Sequence, residues 1–155
     1  MDKTLVAYFS ATGATKRLAH KLSKLLHADT FEIEPEVKYT EEDLRWPDRD
    51  NRACMEMKNK RFRPLVSKKI PNADKYDKVL LGFPVWYNTA PTIINTFLEE
   101  NNLNGKDVYL FITSGATPVD KSLKDLRKTY PNVNFISGKR FNGSFMDEEV
   151  LEWVR

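Results

Sequence analysis

A nearly continuous apolar run, Thr4-Leu-Val-Ala-Tyr-Phe9, passes directly into a hydroxyl-rich turn, Ser10-Ala-Thr-Gly-Ala-Thr15, and then into a segment with Leu18, Leu22, Leu25 and Leu26 at helical spacing. A short run without polar alternation reads as a strand covered on both faces, which is the situation of a central strand in a parallel sheet. The same strand, loop and helix unit recurs twice. Residues 78–83 lead into Pro84-Val-Trp-Tyr-Asn-Thr-Ala-Pro91 and a helix from Thr92 bearing Ile93, Ile94, Phe97 and Leu98. Residues 107–113 lead into Ser114-Gly-Ala-Thr-Pro118 and a helix over 119–130 with Leu123 and Leu126 turned inward.

Two weaker strands complete the set, at 30–34, where Phe31 and Ile33 alternate with polar residues, and at 134–136. Asp147 is expected to cap a last helix carrying Val150, Leu151 and Val154. Parallel strands joined by helical crossovers of one hand give an α/β three-layer sandwich. Five strands favour the order 2-1-3-4-5, in which the loops after strands 1, 3 and 4 meet at the carboxyl edge of the sheet beside the switch point. With 155 residues the chain suits one domain, 1–155. Residues 36–72 break the rhythm: Pro47, Pro64 and Pro71 punctuate them, and six basic residues with no acid occupy 58–69, so a long excursion with short helical pieces is expected.

Composition narrows the function. Net charge is +3, too small for a histone-like partner, and the basic stretch lacks regularly interleaved aromatics, so a solvated surface is expected and no nucleic-acid partner. One cysteine, Cys54, allows no internal disulfide and is read as an incidental surface thiol; His20 and His27 have no partners that would make a metal site. Trp46 and Trp153 are expected to pack. No run is long enough for a membrane span or a signal core, so a cytoplasmic protein without a membrane partner is expected.

The three odd loops carry the chemistry. Ser10, Thr12 and Thr15 with Gly13 and the first amides of a helix make an anion site. No Walker A or dinucleotide glycine pattern is present, nor a nucleophilic cysteine, so the loop suits a phosphomonoester held intact. Trp86 and Tyr87 offer flat faces to a planar heterocycle attached to that phosphate, against the plainer reading in which a ring packs into the core. Thr113-Ser-Gly-Ala-Thr117 supplies small residues and amides for the edge of such a ring.

Phe9-Ser-Ala-Thr-Gly-Ala-Thr-Lys16 resembles the phosphate loop of flavodoxins, and Gly82-Phe-Pro-Val-Trp-Tyr87 with Ala90-Pro-Thr-Ile-Ile-Asn-Thr-Phe-Leu98 is similar to the second flavin loop and helix of a short flavodoxin-like group. Tyr39-Thr-Glu-Glu-Asp-Leu-Arg-Trp46, Arg63-Pro64, Thr113-Ser-Gly115 and Gly138-Lys-Arg-Phe-Asn-Gly143 extend the resemblance over nearly the whole chain. It implies non-covalent FMN, with the phosphate on Ser10, Thr12, Gly13, Ala14 and Thr15, beside Lys16. The ring would lie against Pro84, Val85, Trp86 and Tyr87, next to Asn88, and the pyrimidine edge near Thr113, Ser114, Gly115 and Ala116. Ala116 and Thr117 depart from the Gly-Ser the group carries, and Asn88 stands where the group often has another aromatic or a glycine; if its neighbouring peptide must turn toward the reduced ring, a side chain there resists positive φ more than glycine does. The implied function is an electron carrier serving a redox partner protein, as a monomer with a dimer left open. The alternative is an NAD(P)H-dependent quinone or flavin oxidoreductase, which needs a pocket over the ring.

Overall fold

The computed structural model describes residues 3–45, 51–113, 117–141 and 145–155. Five parallel strands form one sheet: β1 (Thr4–Tyr8), β2 (Asp29–Glu32), β3 (Lys78–Pro84), β4 (Asp107–Thr113) and β5 (Asn134–Phe141), in the order β2-β1-β3-β4-β5. The helices are α1 (Ala14–Leu26), α2 (Arg52–Lys58), α3 (Thr92–Glu100), α4 (Asp120–Thr129) and α5 (Asp147–Trp153), with 3₁₀ turns at Glu42–Leu44 and Ala73–Lys75. The expected topology is therefore present.

Two apolar layers cover the sheet. On one face Ile93, Ile94 and Phe97 of α3 and Leu126 of α4 pack on Leu5, Ala7, Leu81 and Leu110; on the other, Leu18 and Leu22 of α1 and Val150 of α5 pack on Val6, Leu80 and Phe111. The alternation along β1, β3 and β4 places successive residues in opposite layers, which is why those strands have no polar period.

Several local expectations change. β2 begins one residue earlier than expected and stops at Glu32. β5 runs well past Ile136, to Phe141, because Ser137 to Arg140 pair with Tyr109 to Ile112 through backbone groups although their side chains are largely polar. The register shift between Val108 and Tyr109 skips Ile136 and leaves it half exposed. Gly138 within β5 is required by packing: an added Cβ would lie 2.6 Å from Val119 Cγ2 at the start of α4. Asp147 is the first residue of α5 and no side chain caps that helix; Met146 holds the cap position.

Cys54 is buried on α2, not on the surface, because Ala53, Cys54 and Glu56 form the inner side of that helix. Trp153 packs edge-on against Tyr109 and Phe141, as expected; Trp46 lies outside the described residues. The basic stretch is not simply solvated: Arg63 pairs with Glu99, Lys68 with Glu34 and Lys69 with Glu100, which fastens it to α3 and to the chain after β2. Among the described residues no helix is long and apolar enough to cross a membrane, and no group of His, Cys, Asp and Glu side chains could hold a metal ion.

Candidate functional site

The loops after β1 and β3 converge, with Thr113 at the end of β4 and Thr117 beside them, where the chain leaves β1 toward β2 on one side and β3 toward β4 on the other. In the first loop the Gly13 amide donates to Ser10 Oγ at 3.0 Å, which leaves the Ser10 hydroxyl proton free to donate outward. Gly13 sits at φ 98°, and the first helical bond runs from the Arg17 amide to the Gly13 carbonyl at 3.0 Å. The amides of Ala14, Thr15 and Lys16 therefore have no acceptor within α1 and carry the positive end of its dipole.

Thr15 is buried and its hydroxyl lies 2.8 Å from that of Thr113, so it braces the first loop against the end of β4. Thr12 is exposed and lines the cavity. Lys16 turns the other way, 3.6 Å from Glu32, into a neighbouring cleft walled by Glu34, Lys38 and Tyr39. Its ammonium is thus placed apart from the ring-sized cavity.

The second loop is a two-residue hairpin. The Trp86 amide donates to the Thr89 carbonyl at 2.9 Å and the Thr89 amide to the Trp86 carbonyl at 3.2 Å. Tyr87 at φ 49° and Asn88 at φ 74° both occupy the left-handed region, as the type I′ turn requires. Asn88 thus already holds positive φ; asparagine is one of the few non-glycine residues that does so readily, and the turn's cross-bonds hold it there. The Thr89 hydroxyl donates to Asp125 Oδ2 at 2.7 Å and so fastens the turn to α4. Burial pushes the Asp125 carboxyl up, but hydrogen bonds from Lys121 and Thr89 outweigh it and hold the group below its ordinary value.

A cavity of about 530 Å³ opens between the loops. Ala11 and Thr12 line it from the first loop, Pro84 to Asn88 from the second and Thr117 from the third. Ser114, Gly115 and Ala116 lie outside the described residues. Leu44 and Ala53 supply a further side from segment 36–72, and neither was singled out from the sequence. Leu44 lies inside the Tyr39 to Trp46 motif, which was a usable signal; Ala53 carried none.

The two aromatic rings divide their work. Trp86 packs edge-on to Phe9, with centroids 5.6 Å apart, and to Tyr39, at 5.2 Å, while still reaching the cavity. Tyr87 is 45% exposed at its mouth. The packing reading thus holds for Trp86, and Tyr87 stands exposed beside the cavity.

The donor set fits a phosphomonoester joined to a flat heterocycle. Three orphan helix amides follow the first loop, whose Thr12 lines the cavity while Ser10 lines the adjoining cleft beside Lys16, and the cavity has the size range of small-ligand sites and walls of Pro84, Val85, Trp86, Leu44 and Ala53. An FMN molecule has those two parts.

A family model described as flavodoxin matches residues 3–155. A solved structure of a candidate flavoprotein from Bacteroides eggerthii DSM 20697 is 40% identical, covers 99% of this chain and 96% of its own, and superposes with a TM-score of 0.95. One from Bacteroides uniformis ATCC 8492 is 41% identical, with coverage of 99% and 97% and a TM-score of 0.92. A flavoprotein from Lactobacillus acidophilus NCFM, solved in complex with FMN, is 25% identical over 100% of both chains with a TM-score of 0.79. Comparison with curated proteins returns no match.

Proposed function

The chain belongs to the flavodoxin family, and on that premise we propose that it binds one FMN and works as an electron-transfer protein for a protein partner. Bound FMN supplies the transfer of one or two electrons; the protein supplies binding, orientation and the local field. The observation that carries this reading is the convergence, at one sheet edge, of a helix-start anion loop and a cavity walled by Trp86 and Pro84.

The chain's own residues have distinct tasks. The amides of Ala14, Thr15 and Lys16 and the hydroxyls of Ser10 and Thr12 hold the phosphate, each charge-assisted bond being worth about 1.5–3 kcal/mol. Gly13 spends its amide on Ser10 and serves instead as the bend that lets the loop close. Thr15 and Thr113 keep the two loops at fixed separation. Pro84, Val85 and Trp86 form one side for the ring, and Tyr87 and Asn88 present the edge at which a partner docks.

A second reading has one observation in its favour. Leu44 and Ala53 bring segment 36–72 over the cavity, and an oxidoreductase that takes hydride from NAD(P)H needs such cover. Steady-state oxidation of NADH and NADPH by FMN-loaded protein, with and without a quinone, separates the two. The carrier reading expects no rapid turnover, whereas rapid quinone-dependent turnover replaces it with the oxidoreductase. A purified protein that stays colourless and does not respond to added FMN refutes both.

A further inference from the structure

The motif beginning at Tyr39 contributes more than a wall residue. The Arg52 guanidinium lies 3.8 Å from the centroid of the Tyr39 ring, donates from Nε to Glu56 Oε2 at 2.9 Å, and donates from Nη1 to the carbonyls of Val37 at 2.7 Å and Lys38 at 3.2 Å. The Tyr39 hydroxyl donates to Glu56 Oε1 at 2.5 Å. Both oxygens of a carboxylate only 7% exposed are therefore occupied by donors from the same segment. Burial and the Glu56 hydrogen bond push the Tyr39 hydroxyl far above the ordinary phenol range, so it remains a donor throughout the stable pH range.

This cluster touches the cofactor cavity on two sides. The Tyr39 ring meets Trp86 and Phe9 edge-on. Ala53, next to Arg52, lines the cavity, and so does Leu44, which ends a turn opened by reciprocal bonds between Thr40 and Asp43. A buried carboxylate deprived of one partner is costly, so pulling α2 and Ala53 away from residues 37–39, whose Tyr39 ring packs on Trp86 and Phe9, means breaking several bonds at once.

We propose that Glu56, acting through Tyr39 and Arg52, is a positioning residue that holds residues 37–45 and α2 together as a fixed wall of the cofactor cavity, complete before the cofactor enters. This rests on the reading that the cavity takes the flavin ring. A wall that touches the ring and not the phosphate governs both flavins alike. Loosening it lowers the population competent to bind and raises the apparent Kd by the same factor for FMN and riboflavin.

Tyr39→Phe removes the donated bond and keeps the ring contacts; Glu56→Gln keeps an acceptor for Tyr39 and removes the charge facing Arg52. In folded variants, checked by circular dichroism, both flavins are expected to bind about tenfold more weakly, the factor produced when roughly one molecule in ten is competent. Unchanged affinity, or a loss confined to FMN, overturns the proposal. Hydrogen exchange on the unaltered protein decides independently of how the variants fold. The amides of Cys54 and Met55, which donate to Asn51, are expected to exchange slowly without FMN as well as with it. Protection that arises only on adding FMN makes the segment a closing cover and overturns the fixed wall. If no flavin binds while these amides are protected, the cofactor reading fails and the wall stands.

Discussion

Gly13→Ala tests the phosphate loop through a sum of two measurable losses. Gly13 lies at φ 98° and ψ −13°, beyond the left-handed well that a side chain tolerates. Holding alanine there costs about 1–3 kcal/mol. The added Cβ would stand 3.3 Å from Arg17 Nη1, the far end of a flexible side chain that can move aside, so strain and not collision dominates. Alanine also stiffens the unfolded chain, which returns about 0.4–1 kcal/mol. At the middle of those ranges the net cost of reaching the flavin-bound state is about 1–2 kcal/mol.

How that cost divides depends on whether the free loop relaxes. If it keeps its shape, apo stability bears the loss and Tm falls by about 2–8 °C for a chain of this size. If it relaxes, FMN affinity bears the loss and Kd rises by about 5–30-fold. Calorimetric unfolding of the apo protein and fluorescence titration with FMN give the two terms, and their sum is the prediction. A variant that loses neither stability nor affinity refutes the claim that the bound loop requires glycine here.

Thr12→Ala is expected to weaken FMN much more than riboflavin, because the exposed Thr12 hydroxyl is the one proposed to donate to the phosphate; equal losses in parallel titrations would remove it from that role. Replacing Trp86 and Tyr87 together by alanine should restore emission from the flavin that stays bound, and bound flavin that remains dark would place the quencher elsewhere. Gly82→Ala would set a Cβ 2.1 Å from the buried Phe111 ring, so thermal unfolding should show a loss of about 1–3 kcal/mol or more, partly relieved by Phe111→Leu. Burial works to raise the Glu99 pKa, but hydrogen bonds from Arg63 and Tyr130 lower it below 4.5. Its contribution to stability is therefore present above about pH 4.5 and lost as pH falls through the lowered value. Acid unfolding of Glu99→Gln should show a shallower decline in that window than the unaltered protein; identical curves would remove this pair from acid stability.

The sheet order and the meeting of the loops after β1 and β3 were legible because the information is local. A strand buried on both faces must be apolar throughout, so β1, β3 and β4 announce themselves, and right-handed crossovers leave few ways to join them. The first two loops were legible for a similar reason: hydroxyls before a helix, and adjacent aromatics where a surface loop is ordinarily polar, depart from local expectation without any knowledge of neighbours. The length of β5 was hidden, since an edge strand pairs on one side through its backbone and its side chains need not be apolar. The positive φ of Asn88 arises from a turn closed by Trp86 and Thr89 and tied through Thr89 to Asp125, 36 residues further on, and no pattern around Asn88 encodes that tie. Segment 36–72 shows the difference most plainly. Its motif marked it as unusual, yet the burial of Cys54 and Glu56, the clasp of Arg52 on Tyr39, and the approach of Leu44 and Ala53 to the cavity all depend on surfaces supplied by distant parts of the chain. Burial and ion pairing are properties of assembled neighbours, so they existed only once the sheet had brought β1 and the Trp86 loop beneath that segment.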